Sequence, residues 1–450
     1  MRVILCTLIF LFMCIVPAYA TKDDEMQEMR NEIDELKKEF AAMKQYYTAK
    51  ITELEFKLSE SSESALPRSS YKAQADSQTT YSHTSSIMNP DISVIANVKQ
   101  RFNDDVSDDN RHKLTVGEAE LTMSGMIYPN IRGDATVAVE NEYSGESDTN
   151  TETDLEEAYI SFLALPFNSQ VLIGRKLIDF GLINPQHPHE WAFSDTPLVL
   201  ENLFGDHPWY DDGIQGSILV PNPLDVYWET KFGVWNGRSL AHSHDHSEDE
   251  EHIHGALENE PVNWGDMVFT ARSYWNVPVG DNADIGFGYS AAWDEHPMTV
   301  LHGFDFTTRY RFPNKYNWIK WQTEYILADV EAERLHEAHH HDEEEEEDAH
   351  APEIYDYIAN GMYSMLEYSI NKYWRVGTRW DYAEYNEHER YYQWANSYFL
   401  TYFFNHNLYA RMEYRYRDYA GLEDGHQEPE NTIWFQLVWG LGPHGHGIAE

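Results

Sequence analysis

Two short stretches hold ten histidines between them. His242, His244, His246, His252 and His254 stand among Asp245, Glu248, Asp249, Glu250 and Glu251. His336, His339, His340, His341 and His350 flank Asp342, the glutamates at 343–347 and Asp348. An acidic run alone is ordinarily a solvated face. Acidity does not require so many imidazoles, however, and His-rich tracts offer several borderline-soft nitrogen donors at flexible spacing. The expected chemistry is loose, multi-site capture of a divalent metal: zinc first, copper or nickel as alternatives. Capture should weaken as the histidines protonate below about pH 6.

A third stretch, 181–211, with Asp212 directly after it, combines His187, His189, Glu190, Asp206, His207 and Asp211 with Trp191, Phe193, Leu198, Leu200, Leu203, Phe204 and Trp209. It is too apolar for a free surface loop and is expected to pack against something. Its polar residues could then narrow a passage or hold a divalent metal, with shape and anchoring as the simpler roles. His-x-His-Glu lacks the His-Glu-x-x-His spacing of a helical zinc protease. No Ser/His/acid or His/Asp set is found, so no catalytic residue is named and an enzyme is not expected.

The elements that must position these groups are strands. In 407–419, Leu408, Ala410, Met412, Tyr414 and Tyr416 fall on one face, and Arg411, Glu413, Arg415 and Arg417 on the other. The same alternation of apolar and charged faces recurs in sixteen segments: 91–101, 112–126, 131–143, 154–165, 169–180, 212–220, 225–236, 265–277, 282–294, 299–311, 317–329, 354–369, 373–386, 389–404, 407–419 and 431–440. Short and long connections alternate between them. Lipid on one face, water on the other, and asymmetric ends are the pattern of a transmembrane antiparallel β-barrel over 91–450. The inward residues would be Glu118, Glu120, Glu140 and Glu157 on the early strands. On the later ones they would be Arg309, Lys320, Arg375, Arg379, Arg411, Arg415 and Arg417. Acidic and basic arcs facing each other would set a transverse field that favours polar solutes. Alternatively, these groups pair across neighbouring strands.

Residues 1–20 read as a secretory signal, with Arg2, an apolar run over 4–16 and the Ala18-Tyr19-Ala20 cleavage site. Cys6 and Cys14, the two cysteines of the chain, would leave with it, so the mature protein would carry no disulfide or Cys-based metal site. A lipoprotein reading of Cys14 fits poorly with Phe12-Met13 before it. Residues 24–60 form a heptad pattern expected to be a coiled coil, and 61–90 a Ser/Thr-rich linker. No segment after the signal has the roughly 18 apolar residues of a spanning helix. A net charge of −45 excludes nucleic acid as a partner. Thirty tyrosines and fourteen tryptophans suit interfacial girdles.

Taken together, these residues resemble sixteen-stranded outer-membrane porins, more specifically the phosphate-selective-porin-like group with an N-terminal coiled coil; the histidine loops suggest a zinc-associated member. The resemblance implies a homotrimer in the outer membrane of a Gram-negative bacterium, in contact with lipid, with the coiled coil in the periplasm and the third outer loop folded into the lumen. It implies no required cofactor, only loosely bound Zn²⁺. One departure is the ending Gly-Leu-Gly-Pro-His-Gly-His-Gly-Ile-Ala-Glu, where such barrels usually finish on an aromatic. The expected function is passive diffusion of small polar solutes or ions, with the histidine loops capturing divalent metal at the pore mouth. The alternatives are a general or anion-selective porin with no metal role, and a surface metal-buffering protein.

Overall fold

The computed structural model describes residues 90–106, 108, 110–144, 148–205, 207–224, 226–237, 262, 264, 267–294, 299–313, 316–334, 353–386, 390–420 and 429–443. The expected signal, coiled coil and linker lie outside these residues, as do the histidine stretches 242–254 and 336–350 and the last seven residues.

Sixteen strands form one closed antiparallel ring in which every strand pairs with its sequence neighbours. They are β1 (Asp91–Asn103), β2 (Leu114–Tyr128), β3 (Ile131–Ser144), β4 (Asp148–Leu165), β5 (Ser169–Leu177), β6 (Tyr210–Leu219), β7 (Tyr227–Trp235) and β8 (Val268–Val279), then β9 (Ala283–Trp293), β10 (Val300–Arg311), β11 (Trp318–Arg334), β12 (Glu353–Ser369), β13 (Trp374–Asn386), β14 (Arg390–Asn405), β15 (Leu408–Ala420) and β16 (Glu430–Leu441). Closure comes from β1 against β16, in register from Val94↔Leu441 to Asn103↔Thr432. Closure removes the sheet edges that would otherwise expose unpaired backbone groups. Each of the sixteen expected segments is a strand, most with bounds shifted by one to three residues. The shortest strands, β5 and β7, have nine residues, enough to cross a hydrocarbon layer when tilted.

Because the number of strands is even, the first and last strands begin and finish at the same end, where the connections are short: 129–130, 166–168, 280–282, 370–373 and 406–407. This is the turn end. The opposite, loop end carries the long connections 178–209, 236–267 and 335–352.

Alternation sorts the side chains between two environments. On β10, Phe304 is 52% exposed and its neighbour Asp305 only 5%; opposite them on β11, Tyr325 faces out and Glu324 is wholly buried. Aromatic pairs gather on the outside near the turn end, among them Tyr310–Phe312, Phe312–Tyr368 and Tyr402–Phe404. A second group, including Phe269–Trp293, Tyr382–Tyr392 and Trp394–Tyr416, lies toward the loop end. Aromatic groups at the two ends of an apolar outer surface match the interfaces of a bilayer.

Candidate pore and its internal loop

The connection from β5 to β6, residues 178–209, turns into the barrel instead of rising away from it. The turn is made at Gly181, whose φ of +67° suits glycine, and where an added Cβ would lie 1.5 Å from Glu324 Oε1. Gly181 N–H donates to Ser290 Oγ (3.0 Å) and Leu182 N–H to Glu324 Oε1 (3.3 Å), so the first residues of the loop are fastened to β9 and β11. The loop then contains a 3-10 turn, Pro188–Glu190, and a short helix α1, Leu198–Phe204. Its apolar residues, including Phe180, Trp191, Phe193, Leu203, Phe204 and Trp209, share one buried cluster with inward residues of β8–β14, such as Leu301, Ile326, Ala328, Ala359, Tyr363 and Phe399. Small wall residues make room for it: the Phe180 ring sits 3.1 Å from where a Cβ of Gly303 would be. Trp264, from the next long connection, stacks on Trp209 with ring centroids 5.1 Å apart.

Toward the early strands the loop presents imidazoles to carboxylates. His189 Nδ1 is 2.7 Å from Glu120 Oε1 on β2. His187 Nδ1 lies 3.6 Å from Glu120 Oε1 and 3.3 Å from Glu156 Oε2, and its Nε2 lies 3.5 Å from Glu157 Oε2 on β4. The two imidazoles stack, with centroids 5.6 Å apart. His207 Nδ1 is 3.6 Å from Glu140 Oε1 on β3. Burial alone would push the His187 pKa down; Glu120, Glu156 and Glu157 outweigh it and hold the ring well above the ordinary histidine value.

Toward the later strands the loop reverses its sign. Asp195 accepts from Arg379 (2.9 Å) and Arg415 (2.5 Å), and Glu201 from Arg417 (2.9 Å). Arg411 donates to the loop carbonyls of Trp191 (2.6 Å) and Phe193 (2.7 Å), while Glu413 accepts the Ser194 N–H (2.6 Å). Asp195 is buried, which would raise its pKa, but Arg379 and Arg415 bring it down to about 2. At the mouth of the loop, Asp179 bonds Lys231 (2.9 Å) and Gln215 (2.6 Å).

The loop therefore stands between the acidic and the basic arcs. Glu120, Glu140 and Glu157 meet loop histidines, and Arg379, Arg411, Arg415 and Arg417 meet loop acceptors. Neighbour pairing also occurs: Arg379 with Asp381 (2.7 Å), Arg415 with Glu430 (3.4 Å) and Arg375 with Glu367 (3.9 Å). Arg411, by contrast, bonds the loop and not Glu413. Nearer the turn end, Arg309, Lys320 and Arg375 cluster around Glu367; Lys320 is the register partner of both Arg309 and Glu367. Arg309 and Arg375 both lie over the Trp318 ring, 5.1 Å from its centroid. A cavity of about 230 Å³ sits between this region and the loop, lined by Ile183, Gln186, Glu190, Trp191, Ala192, Phe193, Lys320, Gln322 and Met365.

Two residues assigned to the loop belong elsewhere. Asp211 and Asp212 are on β6, because that strand begins at Tyr210. Asp212 faces outward and accepts a two-pronged bond from Arg175 on β5 (2.9 and 2.8 Å). Asp211 is buried and accepts the N–H of Gly237 (2.8 Å). Asp206 lies outside the described residues. Four important groups escaped the sequence reading. Glu156 points inward beside Glu157 because a bulge opposite Thr136/Val137 breaks the alternation of β4. Glu324 is met only because Gly181 turns the loop onto it. Asp195 and Glu201 carried no signal until the loop was placed. A hint existed for the apolar lumen patch: Ile326-Leu327-Ala328 is apolar on both faces, as in strands covered on both sides.

No family model matches the chain. A relative from Aquifex aeolicus (strain VF5), described only as an uncharacterized protein, is 23% identical over 254 residues, 52% of this chain and 48% of that protein. The chain thus spans about half the length of the curated relative it matches. Among solved structures, it is similar to OmpT of Vibrio cholerae in a loop L8 deletion form (TM-score 0.48, 11% identity, 78% of this chain and 99% of that one). It is also similar to the outer membrane channel DcaP of Acinetobacter baumannii (0.47, 12%, 78% and 96%) and to OmpF of Salmonella typhi (0.45, 10%, 78% and 97%).

Proposed function

We propose that this chain is a passive outer-membrane channel for small polar solutes or ions. The observation that carries the reading is the combination of a closed ring, lipid-compatible outside and densely charged inside, with a loop tied across its lumen. Fixed charges in a confined aqueous path replace part of a solute's hydration and reject apolar molecules. A loop bonded at many points keeps the aperture constant, which a passive filter needs. Glu140, Arg309, Lys320 and Arg375, with Glu190 and His207 of the loop, are the proposed lining, while Glu118, Glu120, Glu157, Arg379, Arg411, Arg415, His187 and His189 are buried where the loop meets the wall, and Arg417 bonds Glu201 of the loop.

The finer part of the proposal concerns the long connections at the loop end. The histidines of 242–254 and 336–350 would gather zinc loosely at the mouth, where weak multi-site binding allows release. In this reading the protein is a homotrimer, the turn end faces the periplasm and the coiled coil 24–60 stands there. A second reading, an anion-preferring porin, draws on the three cations around Glu367 near the turn end.

Planar-bilayer conductance of the purified full-length chain tests the channel; a protein that inserts as a folded barrel yet passes no current sinks it. Reversal potentials under a salt gradient choose between the readings. Cation preference that strengthens after loop-histidine replacement overturns zinc gathering, and anion preference lost in Arg309→Ser, Lys320→Ser, Arg375→Ser establishes the second.

A further inference from the structure

Six ionisable side chains from β2, β4 and the internal loop meet in one buried nest. Glu118, Glu120, Glu156 and Glu157 bring four carboxylates, and His187 and His189 two imidazoles; none is more than 9% exposed. Four carboxylates against two imidazoles make the nest a donor set suited to a dication. Lys176 on β5 lies between this nest and Asp179 of the loop, 3.9 Å from the latter, and its charge also acts on Glu157.

Geometry favours the dication. Glu120, Glu156 and His187 each offer one ligand atom within 4.8 Å of the others, and Glu118, Glu120 and His189 form an adjoining set. The 3.3 and 3.6 Å separations from His187 Nδ1 to Glu156 Oε2 and Glu120 Oε1 exceed the usual 2.9–3.0 Å of an N–H···O bond. They match the edge of a tetrahedron, about 3.4 Å, built on metal–ligand bonds of about 2.0–2.1 Å. In the adjoining set, the Glu118 carboxyl lies against that of Glu120, and its Oε1 is buried without a hydrogen bond among the described residues.

The supporting groups are those a metal site needs. His187 Nε2 faces Glu157, giving a carboxylate–histidine arrangement that leaves Nδ1 for the ion, and His189 Nδ1 grips Glu120 from behind. The segment itself is immobilised: Tyr409 donates to the His189 carbonyl (2.9 Å) and Arg411 to that of Trp191 (2.6 Å). We propose that Glu120, Glu156 and His187 bind one divalent transition-metal ion inside the barrel, zinc being the best match to mixed imidazole and carboxylate donors. The ion would lock the internal loop to β2 and β4. This site is distinct from the loop-end histidines and does not depend on the channel reading.

The test uses full-length protein in detergent, stripped with chelator, with the ten histidines of 242–254 and 336–350 replaced by Asn. Titration with ZnCl₂ by calorimetry should give one site per chain, and Co²⁺ should give the absorption of a four-coordinate N/O complex that Zn²⁺ displaces. Glu157→Gln, which touches the imidazole and not the ion, should weaken zinc 10- to 100-fold; His187→Gln should weaken it further. Heat-modified migration in SDS gels reports that each variant remains a closed barrel. Absence of a stoichiometric site in the folded protein overturns the proposal, as does affinity unchanged by both variants. Bilayer conductance of the same preparations is read separately, so loss of the metal site leaves the channel reading standing.

Discussion

Arg379 is buried completely and shares its guanidinium between Asp381 on its own strand and Asp195 on the loop. Its aliphatic and planar parts lie over the Phe193 ring, 4.2 Å from the centroid. Removing one member of such a buried set strands the others, which costs about 3–5 kcal/mol. Arg379→Ala should lose about that much by thermal or urea unfolding in detergent, whereas Arg311→Ala, at the half-exposed pair with Asp284, should change little. Asp195 makes the same network sensitive to acid. Its folded pKa is lowered to about 2, below the ordinary value of about 3.9, so its stabilising contribution is present above about pH 4 and is lost as pH falls through about 2. The loop of the wild-type protein should loosen in that window, seen as rising single-channel noise. Asp195→Asn should show that noise already at neutral pH. Such partnerships could not be read from the sequence: alternation reveals which arginines point inward, but their partners arrive from a loop 184 to 220 positions away.

At the level of elements, the strands were legible and the loop was half so. Period-two patterning survives along most of the wall because one face meets lipid and the other the lumen, and a slip of one residue would exchange the two. The pattern fails where a different force acts. On β4 a bulge puts consecutive glutamates inside. On β9–β12 the inward residues turn apolar because they receive Phe180, Val199 and their neighbours. The apolar content of 181–211 showed that the segment needed a surface to pack on, though not which strands supply it. Everything downstream depends on the inward turn at Gly181. Gly181→Ala combines a left-handed backbone with a Cβ against the Glu324 carboxylate, and should cost more than about 1 kcal/mol. Pairing of β5 with β6 from Ser169↔Ile218 to Leu177↔Tyr210 is untouched. The variant should therefore insert and close normally while its loop becomes open to protease and its conductance becomes larger and less steady. Unchanged protease resistance would show that the packed cluster, and not this turn, holds the loop inside.

For the whole molecule the decisive question is where the hydrocarbon lies, because the same ring could in principle stand in water. The outer surface answers with a gradient. Phe304, 52% exposed, sits within the strand, flanked on the same face by Phe306 and by Tyr325 of β11, with no charged side chain between them. Tyr310, 40% exposed, lies near the turn end in the aromatic group with Phe312 and Tyr368. A soluble barrel would treat arginine at either place as a minor surface change, within about ±0.5 kcal/mol. A membrane distinguishes them, since a cation costs about 2–4 kcal/mol at mid-depth and about 0–1 near the interface. Phe304→Arg should therefore destabilise reversible folding into lipid vesicles by several kcal/mol, and Tyr310→Arg by one at most. Both sites lie on one strand and share one face, so strand propensity and barrel closure cancel in the comparison and depth alone remains. Equal effects from the two substitutions would place the ring outside a bilayer, and the channel reading would go with it.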